Sequence, residues 1–380
     1  MKLVRLGDHV EILSGFAFDS SQFATEGEMP LIRIRDVVRG RTETYFTGSF
    51  DERFVVRKGD LLVGMDGDFN RETWSSEPAL LNQRVCRILS LDASLDPRYL
   101  YHFLPQALME IWHATPFATV RHLSVKVIRE ISLPLPPIEE QRRIASILDK
   151  VDELRTKRRQ ALTQIDDLAP AIFHDMFGDP TSNPLGLPCK PLTEIGHLYS
   201  GGTPSKADPE NWDGKLPWFS PKDMKRNDLF DSVDHISEDY PVRSSLKRLP
   251  KNTVAFVVRG MILAHTFPVS VIRVESTVNQ DMKAVLPREP IDPDFLATCL
   301  RIQASRVLTL VDTAAHGTKK LDARALSNIP ILVPELDAQA EFAKRIAAIR
   351  RLKDRHRIQL DELDTLFASL QDRAFNGNLR

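Results

Sequence analysis

LPPIEEQRRIASILDKVDEL occupies residues 135–154, and VPELDAQAEFAKRIAAIRRL occupies residues 333–352. Each run is a proline-bounded lead-in followed by apolar residues at helical spacing. Repetition of a single helix would leave the flanking sequence unrelated, but the flanks repeat too. LGDHVEILSG (6–15) answers LTEIGHLYSG (192–201), PLIRIRDV (30–37) answers PWFSPKDM (217–224), and RKGDLLVGMDG (57–67) answers PKNTVAFVVRG (250–260). Asn82-Gln83 answers Asn279-Gln280, and DPRYLYHFL (96–104) answers DPDFLATCL (292–300). The order is kept throughout, and the offset drifts only from 186 (6 to 192) to 198 (Gln141 to Gln339). A period this long is a domain duplication, not a solenoid.

Each half has two parts. The first carries short β-branched and aromatic runs (PLIRI, DLLVGM, VAFVV, VSVIRV) cut by Gly, Pro and Asp, with a helix expected after each Asp-Pro. Strands and helices do not alternate regularly, so the class expected is α+β. The second part is a long helix. Ile144, Leu148, Val151, Leu162, Ile165, Ala169, Ile172 and Met176 keep a three-four spacing, as do Phe342, Ile346, Ile349, Leu360, Leu363, Phe367, Leu370 and Ala374. A stripe this long predicts a coiled-coil seam. Each helix should run about 37 residues, roughly 55 Å, between a Pro-rich lead-in and a left-handed cap at Gly178 or Gly377. Pro170 should kink the first helix or restart it. The division that follows is a first head at 1–137, a first helix at 138–178, a second head at 179–334 and a second helix at 335–377.

The stripe is interrupted in both copies by basic residues, Arg155 and Arg158 in the first helix and Lys353 and His356 in the second. If the helices pair antiparallel these layers meet, and four cations in a closed seam are costly. The middle of the bundle should therefore be open or face anions, whether DNA phosphates or acidic residues of a partner; a solvated helix face is the plainer reading.

With 42% hydrophobic and 27% charged residues the chain has a folded-protein composition, and at a net charge of −1 it is no polycation. Any nucleic-acid role needs local basic patches. Cys86, Cys189 and Cys299 lie far apart, as expected of reduced, mostly buried thiols in a cytoplasmic protein. The start, MKLVRLGDHVEI, lacks the apolar core of a secretion signal, and no apolar run approaches the roughly 20 residues that span a bilayer. Two similar heads on two long helices make a ruler with two different reading surfaces. DNA half-sites about one helical turn (~34 Å) apart are objects of that kind.

ISLPLPPIEEQ (131–141) followed by a long helix, the FHDMFGDP ending (173–180) and the two-half layout resemble the specificity (S) subunits of Type I restriction–modification systems. The resemblance covers essentially the whole chain. The second copy departs from the motif, with Pro334-Glu335 for Pro-Pro and Ala338 for the Glu before Gln339. It implies two similar target recognition domains joined by two long antiparallel coiled-coil helices in a pseudo-twofold duplication. Each head would read half of a bipartite, asymmetric site on double-stranded DNA. The helices would space the heads and dock two methyltransferase (M) subunits, with restriction/translocase (R) subunits joining them. S-adenosylmethionine, ATP and Mg would belong to those partners, with no cofactor in this chain.

The residues offer little catalysis of their own. The Asn/Asp-Pro-Pro-Tyr/Phe motif of amino methylation, a phosphate-cradling GxxxxGK[ST] and an HExxH are all missing from the sequence. DGDFN (66–70) copies part of a calcium loop, but Arg71 stands where glycine is needed. The rival readings are a restriction component with its own nuclease centre and an assembly scaffold that binds only protein. Base reading needs Arg, Lys, Asn or aromatic side chains on projecting loops. In the first head the candidates are Arg33 and Arg35, on a strand and turn whose wet face they could equally be, with Asn70, Arg71, Trp74, Arg121 and His122. In the second they are Lys206, Asn211, Trp212, Lys222, Lys225, Arg226, His265, Thr266, Lys319 and Lys320. Asn82-Gln83 and Asn279-Gln280 recur in both heads, so they should serve the framework.

Overall fold

A computed structural model describes residues 2–115, 121–313 and 317–377, the side chain of Ala323 excepted. The chain divides into two compact units, one of Met1–Arg159 with Ile358–Arg380 and the other of Gln160–Arg357. Each unit thus holds one head and a length of both long helices.

In the first unit the strands Val10–Ser14, Val85–Ser90, Leu61–Gly64 and Arg71–Thr73 lie in that order in an antiparallel sheet. Beside it Met29–Ile32 runs parallel to Ala79–Leu81. A ribbon of Leu3–Arg5 and Ser132–Pro134 closes the head where the helix begins. The second unit repeats the scheme with Gly196–Ser200, Met282–Pro287 and Thr253–Val257, then Val269–Ile272 and Asp228–Leu229. Leu216–Phe219 runs parallel to Thr277–Val278, and Cys189–Pro191 pairs with Pro330–Leu332. The class is α+β, and the duplication shows in strand pairing as well as in sequence. It also explains the Ser-Gly that ends the first sheet strand of each head. A Cβ on Gly15 would sit 2.1 Å from the Asn82 carbonyl oxygen, and one on Gly201 would sit 1.6 Å from that of Val278. Only a residue without a side chain allows this approach.

The long helices are Ile138–Phe177 and Leu336–Phe375, 40 residues each. The first runs unbroken through Pro170, so no new segment starts there. Gly178 and Gly377 follow them with φ of 72° and 77°, the expected left-handed caps. The apolar stripe does more than join helix to helix. Ile144, Ala145 and Leu148, with Ala374 and Phe375 of the other helix, complete the first head's core. Phe173, Phe177, Phe342 and Ile346 do so in the second, where Phe173 stacks on Phe295 with centroids 5.3 Å apart.

Gln141 and Gln339 lock each head onto its helix. Gln141 is fully buried; its Oε1 accepts from the Asp96 N–H at 2.9 Å, and its Nε2 donates to the Ser94 and Pro136 carbonyls at 2.8 and 2.9 Å. Gln339 accepts from the Asp292 N–H at 2.9 Å and donates to the Pro334 carbonyl at 2.8 Å. Asp96 and Asp292 in turn cap the helices Pro97–Ala114 and Pro293–Ile302. A charged layer surrounds each lock. In the first unit the Asp149 carboxylate accepts from His102 Nε2 at 2.7 Å and from the Arg98 guanidinium. In the second, Arg350 pairs with Asp294 at 2.7 Å and Asp228 at 3.0 Å, and Arg273 bridges the same two carboxylates.

One expectation needs correction. The alternation in IRIRDV is not a strand face: the strand ends at Ile32, and Arg33 is the N-cap of a helix, Ile34–Arg39, with its backbone N–H on Asp36 Oδ2 at 2.9 Å. Of the four basic seam residues, Arg155 and Lys353 each meet an aspartate of the opposite helix. Arg155 reaches Asp364 at 2.5 Å and Asp152 at 2.8 Å and lies over the Phe367 ring, while Lys353 pairs with Asp166. The three cysteines are free. Cys86 and Cys299 are buried, and burial pushes the pKa of each thiol up to about 12, whereas Cys189 is exposed.

Gln141→Leu and Gln339→Leu should each cost about 2–3 kcal/mol in urea unfolding, because they strand buried backbone groups; Gln141→Glu, which keeps the acceptor but turns a buried carboxylate on the Ser94 and Pro136 carbonyls, should cost more. Burial holds His102 below the ordinary imidazole value, although Asp149 pulls it up. Below about pH 6.5 the unfolded chain therefore takes up a proton that the folded chain refuses. Melting temperature should fall from pH 7.5 to 5.5, and His102→Gln should show the shallower fall.

Candidate nucleic-acid interface

The two heads share one backbone junction near the end of the sheet. In the first, the turn after Leu61–Gly64 meets the segment leading to the long helix through an antiparallel bridge between Asp66 and His122. The Gly67 N–H donates to the Arg121 carbonyl at 3.1 Å, Leu123 to Met65 at 2.7 Å and Met65 to Arg84 at 2.8 Å. In the second, Arg259 bridges Lys320; Gly260 donates to Lys319 at 3.0 Å, Leu321 to Val258 at 2.8 Å and Val258 to Asp281 at 2.8 Å. The bonding is the same and the side chains are not.

On the first junction, Asp66 is held between His122 Nδ1 at 2.7 Å and Arg84 Nε at 3.4 Å. Arg121 lies 3.6 Å over the Trp112 ring, and its Nε donates to the Thr115 carbonyl. The fold thus brings Arg121 and His122 together with Asp66, Arg84 and Trp112, three residues that sequence spacing gives no reason to group with them. Asn70 is exposed and lines a cleft of about 740 Å³ with Trp112, Arg155 and Arg159. Arg71 faces inward. Its Nε donates to the Tyr101 carbonyl at 2.8 Å, its guanidinium lies 3.5 Å over the Tyr101 ring, and burial lowers its pKa. Trp74 is 2% exposed with its indole N–H on the Glu77 carbonyl, so it is a core residue and has no free face for a base. Arg33 and Arg35 are exposed elsewhere; Arg35 lines a small notch with Arg39, Arg41 and Asp36.

On the second junction, Lys319 and Lys320 form a hairpin strand packed on the turn Met261–Ala264, which carries exposed His265 and Thr266. Lys319 Nζ donates to Thr313 Oγ1 at 2.8 Å. Lys320 opens onto a cleft of about 570 Å³ lined also by Arg259, Lys283, Arg288, Gln280 and Asp322. Arg259, Lys283 and Arg288 are site residues that the sequence did not single out; the only hint was Arg259 standing before the aligned glycine. The insertion behaves differently. Asn211 is buried, donating to the Ser205 carbonyl, and Trp212 packs edge-on against Trp218 with its N–H on the same carbonyl. Both hold the insertion's shape, while Lys206 is exposed. Lys222 pairs with Asp234. Lys225 and Arg226 are exposed, and Arg226 borders a smaller cleft beside Lys353 and Arg357. Asn82 and Asn279 are buried, each accepting a nearby backbone N–H, as framework residues do. Among the described residues no group of three or more His, Cys, Asp or Glu is placed to hold a metal ion, and no helix is long and apolar enough to cross a membrane.

Residues 1–164 and 188–363 match the family model described as the Type I restriction modification DNA specificity domain. The chain belongs to that family. The specificity subunit of the Escherichia coli Type I restriction enzyme EcoBI is 27% identical over 405 residues, 97% of this chain and 84% of that one. The EcoR124I/EcoR124II specificity subunit of the same organism is 38% identical over 184 residues, 48% of this chain and 42% of that one. In fold the chain resembles a Type I restriction–modification S subunit from M. genitalium, with a TM-score of 0.56 at 16% identity over 98% of this chain and 96% of the other. The chain is thus a DNA specificity subunit with two target recognition domains, and its part in the Type I system is recognition, not catalysis. A specificity subunit carries no cofactor of its own; S-adenosylmethionine and ATP belong to the methyltransferase and restriction subunits.

Removing the carboxylate that occupies His122 and Arg84 should free two donors for an anion. Asp66→Asn should tighten binding to a mixed-sequence duplex by roughly 3- to 10-fold in a fluorescence titration at low salt.

Proposed function

We propose that this specificity subunit reads a bipartite, asymmetric duplex site, one half with each head. The target recognition domains are 1–137 and 179–334, and the helices at 138–178 and 335–377 serve as spacer. One observation carries this reading. A backbone junction with the same hydrogen bonds in both heads presents Asp66, Arg84 and His122 in one and Arg259, Asp281 and Lys320 in the other. A common framework that carries different side chains is what two heads meeting different half-sites need. The reading candidates are Arg121, His122 and Asn70 in the first head and Lys319, His265 and Thr266 in the second, while Lys320 stands on the wall of the basic cleft. Arg33, Arg35, Lys206, Lys225 and Arg226 are exposed cations suited to phosphate.

The helices dock two methyltransferase subunits, and restriction/translocase subunits join these in the cytoplasm, with Mg bound on the partners. Leu154 and Ile358, exposed on the first unit's lengths of the two helices, support a protein partner there. The carboxylates facing Arg155 and Lys353 argue against an open cationic seam waiting for DNA.

Replacing residues 1–134 with the corresponding head of another family member should change one half of the methylated sequence. Sequencing of modified bases in cells carrying the chimaera reads this directly; a change in both halves, or in neither, would refute the assignment of one head to each half.

A further inference from the structure

The second head's basic cleft can be matched, position by position, to the first head. Arg259 and Lys320 stand at the bridge where the first head has Asp66 and His122. Lys283 pairs across the sheet with Ser200, as Cys86 does with Ser14. Arg288 donates its backbone N–H to the Ile195 carbonyl, as Leu91 does to that of His9. Four cationic positions in one head are therefore aspartate, cysteine, leucine and histidine in the other. The first head keeps the same strand pairing without them, so the fold does not require these cations.

Nor does the head neutralise them. Among the described residues, none of the four side chains has a hydrogen-bond or ion-pair partner. The one carboxylate lining the cleft among those residues, Asp322, accepts the Ala325 N–H at 2.7 Å as a helix cap. Like charges gathered around one concavity raise each other's energy until an anion enters. With a volume of about 570 Å³ the cleft is open enough for a phosphodiester and its neighbours.

We propose that this cleft binds the phosphodiester backbone of the duplex, and that such anchoring is one-sided, built into the second head and absent from the equivalent place in the first. The assignment rests on the DNA-reading role of the heads and adds which surface supplies the sequence-independent part of the affinity. For every phosphate that the protein no longer neutralises, the slope of log K against log salt becomes shallower by about 0.9.

The test uses the full chain in complex with its methyltransferase subunits and a mixed-sequence fluorescent duplex across a salt series. Arg259→Gln, Lys283→Met, Arg288→Gln and Lys320→Met combined should flatten the slope by about 1–3 and weaken binding to all sequences alike. The charge-keeping set Arg259→Lys, Lys283→Arg, Arg288→Lys and Lys320→Arg should retain the slope, which separates charge from misfolding. Lys58→Met with Lys251→Met, exposed lysines on the matching turns of the two heads, should leave it unchanged. An unaltered slope in the neutral quadruple variant would overturn the proposal while leaving DNA reading intact. Calorimetric binding of inorganic phosphate that the quadruple variant loses, with no change in the duplex slope, would mark a free-anion site and overturn the duplex assignment. Failure of the unmodified complex to bind any duplex would overturn the DNA-reading role itself.

Discussion

A buried glutamine amide at the start of each long helix is the interaction on which the rest of the architecture hangs. Gln141 and Gln339 each satisfy the backbone N–H of the aspartate that caps the head's own helix, and a carbonyl of their own proline-bounded lead-in. Three segments distant in sequence are held by one side chain: the strand exit before Asp-Pro, the lead-in, and the first turn of the long helix. Because both amide atoms are used, the helix cannot rotate or slide without leaving buried polar groups unpaired, and each such group costs about 1–3 kcal/mol. That is why the starts of the two long helices read alike even though Pro137 and Glu140 are replaced by Glu335 and Ala338. What is kept is the glutamine, the proline before it and the Asp-Pro it reaches.

Around these matched locks the charges are reversed. In the first head Arg98, two residues past the capping aspartate, faces Asp149 on its helix. In the second the residue two past the cap is Asp294, and it faces Arg350 on its helix. A head placed on the other's helix would lose its ion pair and meet like charge, so sequence divergence at this layer tells the two docking surfaces apart. The seam residues show the same economy. Arg155 and Lys353 are satisfied by Asp364 and Asp166 of the opposite helix, so the basic interruption of the apolar stripe sets register.

The junction between the turn after the third sheet strand and the segment before the long helix shows how side chains can change from one head to the other without disturbing the fold. The hydrogen bonds that both heads share there are main-chain, from Met65, Gly67 and Leu123 in one head and Val258, Gly260 and Leu321 in the other. The bridge forms with either set of side chains, Asp66 and His122 in one head or Arg259 and Lys320 in the other. Buried candidates obey the opposite rule. Arg71, Trp74 and Asn211 each commit an N–H to a carbonyl inside the heads.

The duplication, the α+β class, the two long helices with their glycine caps, and the family are all legible in the string of residues. Those properties rest on period and order: apolar spacing, proline placement and the repetition of blocks are local and survive divergence. The string does not separate an exposed cation from one turned inward, because Arg35 and Arg71 look alike in it and differ only in what packs over them. Nor does it assign IRIRDV correctly, since a polar–apolar alternation over four residues fits both a strand edge and a capped helical turn. It took the folded chain to join Asp66 to His122, to match Lys283 to Cys86, and to give Arg155 and Lys353 their aspartates. These are pairings between residues tens to hundreds of positions apart, and their geometry is fixed by sheet register and helix docking, which leave no mark in the neighbouring sequence.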